Sequence, residues 1–157
     1  MGQDREAGLG NFYIVRGRAA AEGCDQNSRS SLRHHSALPA ELKVTGVAVV
    51  AYSEGDSVKS WSSKMVVVGN LKTGPSKNDP AGANLLGIAY AKAAEMADTL
   101  KASGSGVRPP ITGEHGWQGG VIAKGKTGWL IVAFSGGSSA DDVKISQAGL
   151  GVLTRSL

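Results

Sequence analysis

The side chains best suited to catalysis or ligand binding lie together in one short stretch, Glu114-His115-Gly116-Trp117. Glycine-rich loops that precede a strand often present side chains to a ligand. His115 can ligate a metal ion or carry a proton near neutral pH, and Glu114 can orient it or act as a base. Trp117 can stack on a flat ligand. The competing interpretation is a tight loop whose glycines allow positive φ and whose Trp117 covers the core.

Two residues outside this stretch are candidates for the same site. Thr112 lies just before it and offers an oxygen ligand, although a role in a turn explains it better. Lys92 lies beside the apolar stripe of a predicted helix. It either holds an anionic group of a ligand or lays its stem along apolar surface with its ammonium in water.

The stretch Ser135-Gly136-Gly137-Ser138-Ser139 immediately precedes a predicted helix. Free backbone N–H groups at such a point bind phosphate or carboxylate. The stretch lacks the lysine of a P-loop and the spacing of a dinucleotide fingerprint. Its glycines are explained as well by a tight turn from strand to helix.

The other reactive side chains support little chemistry. Cys24 is the only cysteine, which excludes an intrachain disulfide and favours a reducing, cytoplasmic location. His34 and His35 are adjacent, so their side chains point apart in a helix or a strand and are poorly placed to share one ion. The chain has no Gly-x-Ser-x-Gly elbow and no His-x-x-x-His pair, so the familiar hydrolase and metalloprotease mechanisms have no support.

Composition narrows the class of protein further. The 157 residues carry a formal net charge of +4, and the basic residues are spread along the chain rather than clustered. Nucleic-acid binding normally requires a basic patch, so no nucleic-acid partner is expected. No apolar run reaches the roughly 20 residues of a membrane span, so no membrane partner is expected either.

The elements that must position these residues become recognisable only from residue 43 onward. Residues 1–42 are a poorly patterned arm with room for one short helix. Residues 12–15 either add a short strand or dock as an extended segment. Residues 44–52 are β-branched and apolar, as in a strand buried on both faces. A turn and a second strand within residues 58–68 complete an antiparallel hairpin.

A helix and a second hairpin follow. Asp79 suits an N-cap and Pro80 the first helical position. The helix body is expected over residues 82–100, before the glycine-rich stretch that begins at Ser103. Strands over residues 120–123 and 129–134 flank a turn. The expected buried stripe of the helix consists of Leu86, Ala89, Ala93, Met96 and Leu100.

Serine and aspartate residues predict where the last helix begins. Ser139 and Asp142 have the spacing of a capping box, with Asp in place of the usual Glu. Val143, Leu150, Leu153 and Leu157 are the expected buried stripe. The predicted fold class is therefore α/β (α+β), with two hairpins in one mostly antiparallel sheet and helices packed on it.

Several ordered blocks of the sequence resemble those of a known family. The resemblance lies in Gly119-Gly120-Val121, the turn at Gly125, Ser135-Gly136-Gly137, the acidic helix start at Asp141-Asp142, and Ala148-Gly149-Leu150, with Ala89 to Ala93 matching a central helix. These ordered blocks are similar to the GlcG/HbpS-like family, the haem-degrading domain family, over residues 43–157.

The resemblance implies a profilin-like sandwich, a homo-oligomer and a bound small molecule, with haem or another tetrapyrrole first. The expected ligand contacts are Thr112, His115, Trp117 and Lys92, with His115 on the metal. One alternative is a cofactor-free isomerase, cyclase or lyase acting on a small organic molecule, with Glu114 and His115 as catalytic acid and base. Another is an oligomeric structural module without a ligand.

Overall fold

Two apolar strands form the centre of the protein. The computed structural model describes residues 42–155, and within them β1 (Gly46–Glu54) and β6 (Gly128–Ser135) lie side by side. They run antiparallel, with Val49 opposite Ala133. Because almost every side chain along both strands is hydrophobic, the pair is stable only when both of its faces are covered.

Each central strand also pairs with its hairpin partner. β2 (Ser62–Val68) lies outside β1, with Met65 opposite Val49, and β5 (Gly120–Lys124) lies outside β6. The sheet order is β2-β1-β6-β5, and all its pairings are antiparallel. Both predicted hairpins and the predicted fold class are thus confirmed.

Two helices cover the two faces of this sheet. Helix α1 (Leu85–Thr99) packs on the face formed by alternate β1 residues such as Val49. Helix α2 (Ser139–Arg155) packs on the opposite face, where Ile145 meets Ala48 and Phe134. Because successive strand residues point to opposite faces, β1 serves both cores.

Helix α1 begins later than the sequence predicts. Asp79 and Pro80 are not its first residues, because a small ribbon of β3 (Lys72–Thr73) and β4 (Ala83–Asn84) precedes it. The N-cap is Asn84, whose side chain accepts a hydrogen bond from the Gly87 N–H at 3.1 Å. Formation of this ribbon moves the first helical residue from Pro80 to Leu85.

The end of α1 agrees with the predicted helix body, which reaches Leu100. Leu100 adopts a left-handed conformation with φ of 54°, and its N–H bonds to the Met96 carbonyl, so the helix ends before Ser103. Of the predicted stripe, Ala89, Ala93 and Met96 are fully buried.

Helix α2 is capped one residue earlier than predicted. The Ser138 hydroxyl accepts the Asp141 N–H at 3.2 Å, so Ser138 and not Ser139 acts as the cap. The capping box of Ser139 with Asp142 is therefore wrong, because Asp142 turns into the protein. The buried side of the helix includes Ile145, Ser146, Val152 and Leu153, whereas the predicted Val143 and Leu150 are half-buried.

Several predictions fall outside residues 42–155. They concern the arm over residues 1–41, Cys24, the His34-His35 pair and Leu157, and all of them stay predictions. Within the described residues, neither helix combines the length and the apolar character needed to cross a bilayer.

Candidate functional site

The loop over residues 101–119 connects α1 to β5 and carries most of the predicted site. Its two ends are pinned together by buried polar side chains. The Ser103 hydroxyl accepts the Gly120 N–H at 2.8 Å, and the Glu95 carboxylate accepts the Gly104 N–H at 2.9 Å. Since Ser103 and Glu95 are both buried, these bonds hold the base of the loop against α1.

Arg108 holds the middle of the loop. Its guanidinium donates to both oxygens of Glu114, at 2.7 and 2.8 Å, and to Oδ2 of Asp98 at 2.7 and 3.0 Å. Asp98 belongs to the last turn of α1, so Arg108 connects the helix to the loop tip. A fork of this kind fixes orientation as well as distance.

Glu114 is held in place by burial and by hydrogen bonds within the loop. Its side chain is only 7% exposed, and Oε2 also accepts the Ile111 N–H at 3.1 Å. The hydrogen bonds from Arg108 lower the pKa of Glu114 to about 2. A carboxylate held in this state is a weak proton acceptor near neutral pH, which gives the alternative of Glu114 as a catalytic base little support.

His115 and Trp117 form a stacked pair at the tip of the loop. Their ring centroids are 4.6 Å apart and their planes are inclined by 25°. Gly116 between them has φ of 63°, and a Cβ there would lie 2.6 Å from Cγ of Pro110. Trp117 is 52% exposed, so the interpretation that it covers the core is wrong.

The same loop exposes further apolar side chains to solvent. Val107 is 56% exposed and Ile111 is 59% exposed, and Thr112 is exposed as well. Val107, Ile111 and Trp117 are thus three large apolar side chains of one loop that are exposed to solvent. Exposed apolar surface of this kind marks sites of ligand or protein contact.

Lys92 lies elsewhere, inside the protein. It is 3% exposed, and its ammonium donates to the Phe134 carbonyl and to Oδ2 of Asp142, both at 2.8 Å. Burial lowers the pKa of Lys92 and raises that of Asp142, against the mutual attraction of the pair. The interpretation of Lys92 as a solvated surface lysine is wrong, and an anionic ligand would have to compete with Asp142 for it.

The glycines before α2 make a turn around the same carboxylate. The Gly137 N–H donates to Oδ1 of Asp142 at 2.8 Å, and the Gly136 N–H contributes to lowering the pKa of that carboxyl. Asp142 therefore occupies the position that an external phosphate or carboxylate would take. This geometry supports the turn interpretation of residues 135–139.

Glu114, His115, Trp117 and Thr112 thus share one loop, whereas Lys92 is buried against Gly119, the last residue of that loop. Sequence reasoning missed Arg108, whose partners are six and ten residues away, and Asp142, whose partner is fifty residues away. The only sequence signal for Arg108 was its position before two prolines, which predicts an extended segment and no partner.

The described residues offer no preformed metal centre. No group of three or more His, Cys, Asp and Glu side chains within residues 42–155 is arranged to hold an ion.

Comparison with known proteins supports the architecture. No family model matches the chain, and no curated protein matches it in sequence. Among solved structures it is similar to a PduOC:heme complex, with a TM-score of 0.55 and 14% sequence identity over 81% of this chain and 91% of that one. At this identity the similarity shows that the two chains share a fold.

Proposed function

We propose that this protein binds a small flat molecule, with haem or a related tetrapyrrole as the first choice, at the tip of the 101–119 loop. The stacked and exposed pair of His115 and Trp117 is the observation that carries this proposal. A flat aromatic ligand gains apolar burial and ring contact from such a surface.

Three further observations support the proposal. The loop is braced by the Arg108 fork, which reduces the ordering that a ligand must impose. Val107 and Ile111 of the same loop also expose apolar side chains. The chain also shares its fold with a protein solved as a haem complex.

The residues present fit a flat ligand better at the loop tip than at Lys92. His115 and Thr112 are exposed and available for polar or metal contact, whereas Lys92 is buried against Asp142. A role for Lys92 in holding an acid group of the ligand requires the buried ion pair with Asp142 to open.

Haemin titration of the purified full chain tests the proposal. Wild type should give a saturable change in the Soret band. The double variant His115→Ala/Trp117→Ala should lose it while keeping the wild-type thermal unfolding curve. Variant His34→Ala/His35→Ala is the matched control, because it removes the only other histidines and should bind normally.

Two results would overturn the proposal. One is the absence of a saturable band with folded wild type. The other is unchanged binding by the loop double variant together with loss in the His34/His35 variant, which would place haemin on the N-terminal segment.

Self-association in a cytoplasmic setting is part of the same proposal. The outer strands β2 and β5 of the described sheet provide the edges along which copies could pack. Molar mass measured by light scattering, with and without haemin, tests this part independently of the ligand.

A further inference from the structure

The orientation of the stacked pair limits how a flat ligand can be held. The rings of His115 and Trp117 lie 4.6 Å apart with only 25° between their planes. Any flat molecule that stacks on Trp117 is consequently close to parallel with the imidazole of His115 as well.

Axial ligation of iron by histidine requires the opposite arrangement. The donor lone pair of an imidazole nitrogen lies in the plane of its ring, and the axial bond is perpendicular to the macrocycle. A ligating imidazole therefore stands upright on the macrocycle. In the observed pair, stacking by Trp117 and ligation by His115 exclude each other for the same ligand.

A second observation distinguishes stacking on Trp117 from iron ligation by His115. A metal-ligating histidine almost always donates its other ring N–H to a carboxylate or carbonyl that fixes its orientation. Within residues 42–155 no group makes a hydrogen bond to the ring of His115, and the adjacent Glu114 is engaged by Arg108 and Ile111. His115 is held by its contact with Trp117.

We infer that this site recognises the flat aromatic face of its ligand and not a metal within it. The inference rests on the proposed function and narrows the ligand class to planar aromatic macrocycles, with metal-free ones included. Trp117, stacked against His115 and half-exposed to solvent, supplies the contact.

Paired titrations with haemin and metal-free protoporphyrin IX test this inference, followed by porphyrin absorbance and by tryptophan fluorescence. His115→Phe is the decisive variant, because it keeps a ring that can stack on Trp117 and removes both nitrogens. Trp117→Ala removes the proposed platform. Thermal unfolding of each variant establishes that the fold is retained.

We expect haemin and metal-free protoporphyrin IX to bind with similar affinity. Wild type should bind both with dissociation constants within about threefold, and His115→Phe should change both dissociation constants by the same factor. Trp117→Ala should weaken both by about tenfold, the size expected for losing one aromatic contact and its buried area.

A tenfold or larger preference for haemin that His115→Phe abolishes would overturn the inference while leaving haem binding intact. Saturable binding of neither ligand would remove the inference together with the proposed function. The two failures are thus distinguishable in one set of titrations.

Discussion

Lys92 and Asp142 meet at 2.8 Å in a buried ion pair that joins helices on opposite faces of the sheet. Their side chains meet beside the start of β5 and the end of β6, where Lys92 also donates to the Phe134 carbonyl. A buried pair contributes to stability only when its remaining polar atoms are bonded, and Asp142 meets this condition through the Gly137 N–H.

Removing one partner of this pair should be costly. Lys92→Met and Asp142→Asn are each expected to lower the free energy of unfolding by about 3–5 kcal/mol, because each leaves a buried charge without its partner. The double variant should lose less than the sum of the two. Urea unfolding in a double-mutant cycle measures the coupling.

The exposed pair of Lys124 and Asp56 is the control for this experiment. Lys124→Met should leave unfolding almost unchanged, because water already solvates both charges. Equal effects at the buried and exposed pairs would contradict the role given to Lys92 and Asp142.

Glu114 should make stability depend on pH in the acid range. Its pKa falls from 4.5 to about 2 on folding, so its contribution is complete above about pH 4.5 and is lost as pH falls towards 2. In Glu114→Gln this part of the pH profile should be absent.

The measurement is denaturant unfolding of both proteins at several pH values and constant ionic strength. The informative quantity is the difference between wild type and variant, since other carboxylates titrate in both. A difference that does not shrink between pH 4.5 and 2 would argue against the bond to Arg108.

Gly119 should tolerate no side chain. It has φ of +135°, and a Cβ there would collide with Nζ of Lys92, Cβ of Asp142 and the Phe134 carbonyl. Gly119→Ala is expected to cost about 3 kcal/mol or more from strain and overpacking combined.

Gly151 is a matched control within α2. A Cβ added at Gly151 would have no heavy atom within 4 Å outside its own helix backbone, and the φ of Gly151 is not positive. Gly151→Ala should therefore stabilise the protein by about 0.5–1 kcal/mol. Thermal unfolding should move in opposite directions for the two substitutions. Movement in the same direction would show that close packing at Gly119 is not the cause.

The start of α1 can be tested by two single substitutions. Asn84→Ala removes the side-chain acceptor of the Gly87 N–H and should cost about 1 kcal/mol. Asp79→Ala, at the cap that the sequence predicts, should cost less than about 0.5 kcal/mol. A larger loss of stability in Asp79→Ala than in Asn84→Ala would instead support a helix that begins at Pro80.

Local sequence patterns predicted the four strands of the main sheet and both helices, but not the β3-β4 ribbon that delays the start of α1. The apolar run over residues 44–52 and the one over residues 129–134 identify the two central strands, because a strand buried on both faces must be hydrophobic throughout. The spacing of Ala89, Ala93 and Met96 identifies the inner side of α1. The concentration of Glu114, His115 and Trp117 in one loop could also be read directly from the sequence.

Only the tertiary structure decided what those residues do. Whether Lys92 is a surface group or half of a buried pair depends on Asp142, fifty residues away, and no local pattern encodes that distance. The same holds for Arg108, which converts Glu114 from a candidate base into a bound carboxylate. The physical reason is that periodicity reports which face of an element is buried, whereas charge pairing and ring orientation arise when separate elements meet.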